Sequence, residues 1–171
     1  GEDSILVPAG STLFCCDAAG VAHWRRDLDK EIVTRPEVLS LTDRRLILCG
    51  TASGSLFALD LDGKVLWECA TGDTFSNWIV FLPGRNAEPL ILFTGLWGNL
   101  HAVDVQGRHV WTHLFRAKTR GAPLVLDAHG DGHAVIFVPT FHQRVLAFEE
   151  DGKLKDDIRL SGIMPSALVP I

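Results

Sequence analysis

The sequence has no excess of positive charge: 16 Lys and Arg stand against 21 Asp and Glu, for a formal net charge of −5. Non-specific phosphate binding needs a basic stripe, so nucleic acid is not an expected partner. No apolar run approaches the ~20 residues of a membrane-spanning helix, so no membrane span is expected. The N-terminal Gly1-Glu2-Asp3 is acidic rather than a charged-then-apolar leader, and no signal peptide is read in this chain. Helical periodicity is missing as well, since no window of about eleven residues repeats convincingly at 3.6. None of the patterns G-x-S-x-G, H-E-x-x-H or a phosphate-cradling glycine loop occurs, so no catalytic residue is nominated. The four cysteines show no C-x-x-C spacing, which argues against a zinc site or a disulfide framework. Reduced thiols lean towards the cytoplasm and leave the compartment open.

What is present is an apolar fraction of 47% over 171 residues with 16 glycines, enough for one compact soluble domain with a sizeable core. Self-similarity is the main fact. Ala58-Leu59-Asp60-Leu61-Asp62-Gly63-Lys64-Val65-Leu66-Trp67 recurs as Ala102-Val103-Asp104-Val105-Gln106-Gly107-Arg108-His109-Val110-Trp111 and as Cys15-Cys16-Asp17-Ala18-Ala19-Gly20-Val21-Ala22-His23-Trp24. A fourth copy, from Ala147 to Asp156, keeps the small residue, the acid and Gly152 but has Asp156 in place of Trp. The turn glycines Gly20, Gly63, Gly107 and Gly152 are 43, 44 and 45 residues apart.

Each unit reads as strand, turn, strand. The acid bonds its own downstream backbone and the glycine accepts positive φ, which makes a tight turn. Upstream lie the apolar runs Ile5-Leu6-Val7, Leu46 to Cys49, Leu90 to Phe93 and Val135 to Val138, which read as buried strands. Another strand is expected before each of the last three runs, at about Glu37 to Leu39, Trp78 to Phe81 and Pro123 to Leu126, and one more at Ala167-Leu168-Val169. Four strands per ~44 residues make the blade of a β-propeller, an all-β fold of four-stranded antiparallel sheets whose strands run A to D outward from an axis. The blade units are approximately 1–30, 31–73, 74–117 and 118–161, with 162–171 supplying a strand of the next or the first blade. The arrangement is either a closed four-blade ring or the arc of a seven- or eight-blade ring, and an incomplete ring allows self-association. Each blade buries both faces against its neighbours, so the strands are nearly continuously apolar.

The small-x-acid-x-x-Gly-x-x-x-Trp block resembles the tryptophan-docking motif of the pyrroloquinoline-quinone-like, or quinoprotein alcohol dehydrogenase-like, β-propeller repeat family. That family includes quinone-free members such as the lipoprotein of the outer-membrane barrel-assembly machine and the C-terminal propeller of an aminoadipate-semialdehyde-dehydrogenase-like acyl-CoA synthetase. The family block is usually one residue longer, with a Thr before the Gly. All four copies here are the shorter form, common in quinone-free members. The resemblance implies that Trp24, Trp67 and Trp111 are inter-blade staples stacking on the neighbouring blade. Family members are often periplasmic or extracellular. The fold is thereby implied and the function is not.

Each remaining candidate has a plain counterpart. Adjacent cysteines close a disulfide over the cofactor in quinoprotein alcohol dehydrogenases, but Cys15-Cys16 falls in mid-strand, where successive side chains face opposite ways, and is expected as two free thiols. Asp127, His129 and Asp131, followed by Gly132, outline a calcium loop resembling those of integrin-type propellers; His129 and Val135 stand where oxygen ligands are usual, and a plain Asp-Gly turn is the simpler reading. His109 and His113 would share a strand face ~13 Å apart, too far for a common metal. Asp60 and Asp62 look like an acid–base pair but sit at a repeated turn. Trp78 and Trp97 break the repeat; Trp97 is either packed laterally, the plainer reading, or held out for a partner.

The expected function is a non-catalytic binding or scaffold module for a protein, peptide or small ligand, with no cofactor required. The alternatives are part of a quinone-dependent oxidoreductase propeller, which would take pyrroloquinoline quinone and calcium, and the propeller of an acyl-CoA synthetase-like enzyme.

Overall fold

A computed structural model of the chain describes residues 4–84, 88–127, 132–141, 143–162 and 168, with the side chain of Asn77 left aside. Fifteen strands and no helix occur among the described residues. The chain divides into two compact units, Gly1–Asn77 and Trp78–Ile171.

In the first unit β1 (Ile5–Ala9), β2 (Thr12–Cys16) and β3 (Ala22–Asp27) form an antiparallel sheet in that order. A second sheet has the order β4 (Glu37–Ser40), β5 (Arg45–Gly50), β6 (Ser55–Leu59) and β7 (Val65–Ala70). Burial peaks in the two middle strands. All of β6 and all but the first residue of β5 are buried, whereas β7 is mostly exposed. The continuous apolar runs therefore mark the inner strands, which are covered on both faces. Ile47, Cys49, Phe57 and Leu59 join Leu13, Leu28 and Ile32 in one core, with Leu6 and Trp24 against it. The strand at Ile5-Leu6-Val7, expected to be buried, is corrected here. Among the described residues β1 pairs only with β2, so Leu6 reaches the core while Ile5 stays 51% exposed.

The second unit repeats the plan. β8 (Phe75–Leu82), which begins in the first unit, β9 (Leu90–Gly95), β10 (Asn99–Val103) and β11 (His109–Leu114) make one four-stranded sheet. β12 (Leu124–Leu126), β13 (Val135–Pro139), β14 (Arg144–Phe148) and β15 (Leu154–Arg159) make the other. Leu92, Leu100 and Ala102 of the former pack with Ile136, Val138, Leu146 and Phe148 of the latter. The strand expected at Ala167 to Val169 falls at residues 167 and 169 outside the described residues.

The repeated block becomes the hairpin between the third and fourth strand of every sheet. Asp60 Oδ1 accepts the amides of Asp62 and Lys64 at 3.0 and 2.8 Å, and Gly63 N donates to Asp60 O at 3.1 Å with Gly63 at φ +77°. Asp17 and Asp104 do the same for residues 19 and 21 and for residues 106 and 108. In the fourth hairpin Glu149 takes the acid's place, and Asp151 instead receives Lys153 N at 3.0 Å.

After each turn the register slips by one residue. Ala58 faces Trp67 while Leu59 faces Val65, leaving Leu66 over, and the same bulge follows Cys15, Ala102 and Ala147. A bulge bends the strand and re-aims its side chains. It stands immediately before Trp24, Trp67 and Trp111. The Trp24 ring occupies the place of a side chain at Gly63, where a Cβ would meet Cε3 at 2.6 Å, and its Nε1 donates to Leu61 O at 2.8 Å. Arg26 Nε donates to Gly63 O at 2.7 Å beside it. Trp111 covers Gly152 with the same 2.6 Å approach. Its Nε1 is buried with no acceptor among the described residues.

The segment from β3 to β4 runs along the turn between β5 and β6. Ile32 N and Val33 N donate to Gly10 O and Gly50 O at 2.9 and 3.0 Å, and Ala52 N donates to Glu31 O at 2.9 Å. Lys30 adds a charged link: its Nζ donates to Ser55 Oγ at 2.9 Å and pairs with Glu68, which also accepts Ser55 Oγ–H at 2.6 Å.

Two outcomes are expected. Gly63→Ala should lower stability by roughly 2–3 kcal/mol, because it adds a clash with the indole to left-handed strain, whereas Gly20→Ala, with open space at its Cβ, should lose only about 1 kcal/mol to strain. Equal losses in urea titration would show that the indole contact contributes nothing. The second concerns pH. Hydrogen bonds from Lys30 and then Ser55 hold the Glu68 carboxyl below its ordinary 4.5. This contribution is fully present above pH 4.5 and is lost as pH falls through the lowered folded-state value. Melting temperatures of Glu68→Gln and the parent should therefore differ at pH 7 and converge on acidification, by a modest amount because the pair is partly solvated. A gap that persists at pH 2 would contradict the assignment.

Candidate functional site

Among the described residues, those nominated from the sequence do not gather into one centre. Trp67 sits half-buried on β7, facing Ala58. Asp127 is exposed and its Oδ2 accepts Gly132 N at 2.8 Å, while His129 and Asp131 lie outside the described residues. All four cysteines are free thiols. Cys15 pairs across the sheet with Leu6 and Trp24, and Cys16 with Ile5 and Ala22, so the adjacent pair lies flat within β2 and does not fit a cofactor clamp. Burial pushes the Cys49 thiol up to about 12, which removes it as a nucleophile at neutral pH. Asp60 is engaged by its own turn and Asp62 stands exposed beside it.

The shared face expected for His109 and His113 is corrected. The bulge after Ala102 changes the strand's phase, so that His109 Nε2 meets Thr112 Oγ1 at 2.6 Å while His113 lies edge-on to Phe148 with ring centroids 4.9 Å apart. Thr112 Oγ1 also meets buried His101 Nδ1 at 2.9 Å, and His101 stacks on Phe93 at 5.0 Å. A hydroxyl carries one proton, so Thr112 donates to at most one of the two imidazoles and accepts from at least one. The chain ties an exposed ring to a buried one. Only the facing positions on β10 and β11 would have indicated it, and the bulge hides them.

Lys30, Ser55 and Glu68 superficially resemble a nucleophile with its base. Ser55 is 2% exposed, however, and Lys30 is ion-paired with Glu68, so neither a reachable hydroxyl nor a free base is offered. A recess of about 410 Å³ opens between β13 and the β14–β15 hairpin, lined by His133, Glu149, Glu150, Asp151 and Lys155. Glu150 there accepts Ala134 N at 2.7 Å, and Asp151 pairs with Lys153 at 2.6 Å.

The opposite end of the second unit differs in character. The turn from β9 to β10 carries Leu96 and Trp97, and Trp97 is 71% exposed. The lateral packing expected for Trp97 is therefore corrected. Gly98, at φ +85°, sits so close to the Ala117 backbone that a Cβ would meet its nitrogen at 2.5 Å; with Gly98 pinned, the preceding indole points outward. At the next turn, from β13 to β14, Phe141 is 54% exposed beneath the Arg120 guanidinium, 5.2 Å from the ring centroid. Leu114 and Leu160, where the flanking outer strands end, are exposed too. Sequence reading singled out Trp97 because it broke the repeat, and passed over Phe141, which lies in a stretch with no such signal.

No protein-family model matches the sequence, and no curated protein matches it significantly. Solved structures do. BBS1N, solved in complex with ARL6DN, aligns with a TM-score of 0.73 at 18% identity over 94% of this chain and 50% of its own. BamB from Moraxella catarrhalis aligns with a TM-score of 0.67 at 23% identity over 92% of this chain and 47% of its own. A quinohemoprotein alcohol dehydrogenase from Comamonas testosteroni aligns with a TM-score of 0.69 at 14% identity over 93% of this chain and 34% of its own. The chain thus spans half or less of each of these neighbours. At such identities the likeness concerns architecture, and with the antiparallel sheets described above it shows that the chain has the β-propeller fold.

Proposed function

We propose that this chain is a propeller module that binds a protein or peptide partner rather than a catalyst. The observation that carries the reading is the pair of exposed aromatic side chains, Trp97 and Phe141, held on turns that hydrogen bonds and a closely packed glycine fix in place. Large aromatic side chains on rigid supports lose little entropy on binding and supply most of the energy of protein interfaces. Crystallisation of the structural neighbour BBS1N with ARL6DN is consistent with a partner-binding role for this architecture. Likeness to a quinohemoprotein alcohol dehydrogenase keeps a second reading in view, a propeller that holds pyrroloquinoline quinone with calcium. The flat Cys15-Cys16 pair and the self-engaged Asp127 give that reading no support from side-chain geometry. An acyl-CoA synthetase-like setting would place the same binding module beside an enzyme.

Selection from an unbiased displayed-peptide library, paired with spectral titration of the protein by the quinone and calcium, separates these readings. The proposal expects peptides that bind saturably and no stoichiometric uptake of quinone. Stoichiometric quinone uptake, or a library that yields no saturable binder, would overturn it.

A further inference from the structure

The turns that carry the apolar side chains at the Trp97 end are tied to one another by backbone hydrogen bonds. Phe115 N donates to Gly98 O at 2.8 Å, which ties the end of β11 to the Trp97 turn. Arg120 N then donates to Pro139 O at 2.9 Å and Phe141 N to Lys118 O at 3.0 Å, carrying the same linker onto the Phe141 turn. Leu160 N closes the row on Gln143 O at 2.9 Å. Arg116 and Gln143 both hold left-handed backbone, with φ of 53° and 57°. Non-glycine residues keep that conformation only where their surroundings over-determine it, so the surface is fixed before any partner arrives.

The described acids of this unit gather towards one end, where Arg108, Lys153 and Lys155 accompany them. Glu88, Asp104, Asp127 and the run Glu149-Glu150-Asp151 lie in the loops and hairpins of the far end. The Trp97 end carries Arg116, Lys118 and Arg120, and no ion pair involves any of the three among the described residues. Segments 105–126 and 132–148 contain no acid at all. Asp157 on β15, opposite Leu146 in the strand register, is taken by Arg144. A cationic, aromatic-bearing surface in a chain of net charge −5 is not the mixed-sign surface that solvation alone favours. Arg120 Cζ lies over the Phe141 ring, and among the described residues no ion pair engages its guanidinium, whose forked N–H donors match a carboxylate.

We infer that this end of the second unit docks an acidic segment of a partner protein whose bulky apolar side chains seat against Trp97, Phe141, Leu96 and Leu114 while its carboxylates meet Arg116, Lys118 and Arg120. The inference rests on the binding reading above and adds its surface and the chemistry of its partner. Opposite charge selects the partner and speeds its encounter, and the aromatic anchors slow its release. An anionic lipid surface offers negative charge as well, but the acid-rich remainder of the chain would be repelled by it.

The test uses the whole chain and a fluorescent peptide in which Asp and Glu alternate with Leu, Phe and Trp, beside a twin with Lys and Arg in place of the acids. Anisotropy should show the acidic peptide binding at least about tenfold more tightly than the basic twin, and more weakly as salt is raised. Trp97→Ala, and separately Lys118→Glu with Arg120→Glu, should each weaken binding at least about tenfold, as for a hot-spot residue and a complementary charge pair. Lys118→Glu alone, at an exposed site, should weaken it in the same direction with an unchanged melting temperature. Equal affinity for both peptides, no binding of either, insensitivity to these variants, or preference for phosphatidylserine vesicles would overturn the inference. Library-selected peptides that cross-link far from Trp97 would leave the binding reading intact and refute this surface alone.

Discussion

The close approach of an indole to a glycine in a tight left-handed turn joins two sheets in each of the two units. At Gly63 and at Gly152 the ring lies where any side chain would have to be, at the same distance in both, so the turn residue and the tryptophan constrain each other across two sheets. The acid at the head of the turn fixes the loop, the glycine gives it positive φ and no side chain, and the bulge after the turn aims the ring. Four copies of the block are consistent with a sheet of this kind being unstable alone and gaining its stability from neighbours.

That constraint also explains where freedom remains. Once the hairpins are committed to one another, the turns at the other end of the second unit need only hold their backbone, and their side chains are available for other uses. Trp97 and Phe141 occupy such positions, and the cations beside them, in no ion pair among the described residues, share the same linker. The acidic hairpins and the cationic aromatic turns are thus the two ends of one strand arrangement, one occupied with packing and the other facing outward.

Most of the fold was legible in the sequence because its signals are local and repeated. The inner strands are continuous apolar runs, and the turns need an acid and a glycine at fixed spacing. The bulges were not legible: one residue left over in each hairpin costs nothing visible in the pattern, yet it alters which side chains share a face, and it separated His109 from His113. Exposure of β1 was hidden as well, since Ile5-Leu6-Val7 has the composition of an inner strand and only its pairing shows it as an edge. Trp97 was visible as a departure from the repeat, but its outward direction comes from Gly98 against the Ala117 backbone, a contact far apart in sequence order from anything a pattern records. The three cations without acids became meaningful only when the topology put them at the same end as the aromatics.

A double-mutant cycle on Trp24 and Gly63 addresses the central contact directly. Trp24→Ala removes the ring, Gly63→Ala introduces the methyl group it excludes, and the double variant carries the methyl with no ring to strike. Because the two groups touch, Gly63→Ala should cost at least about 1 kcal/mol less in the Trp24→Ala background than in the parent. Losses that add to within about 0.5 kcal/mol would show that the ring and the glycine act independently, and would contradict the account.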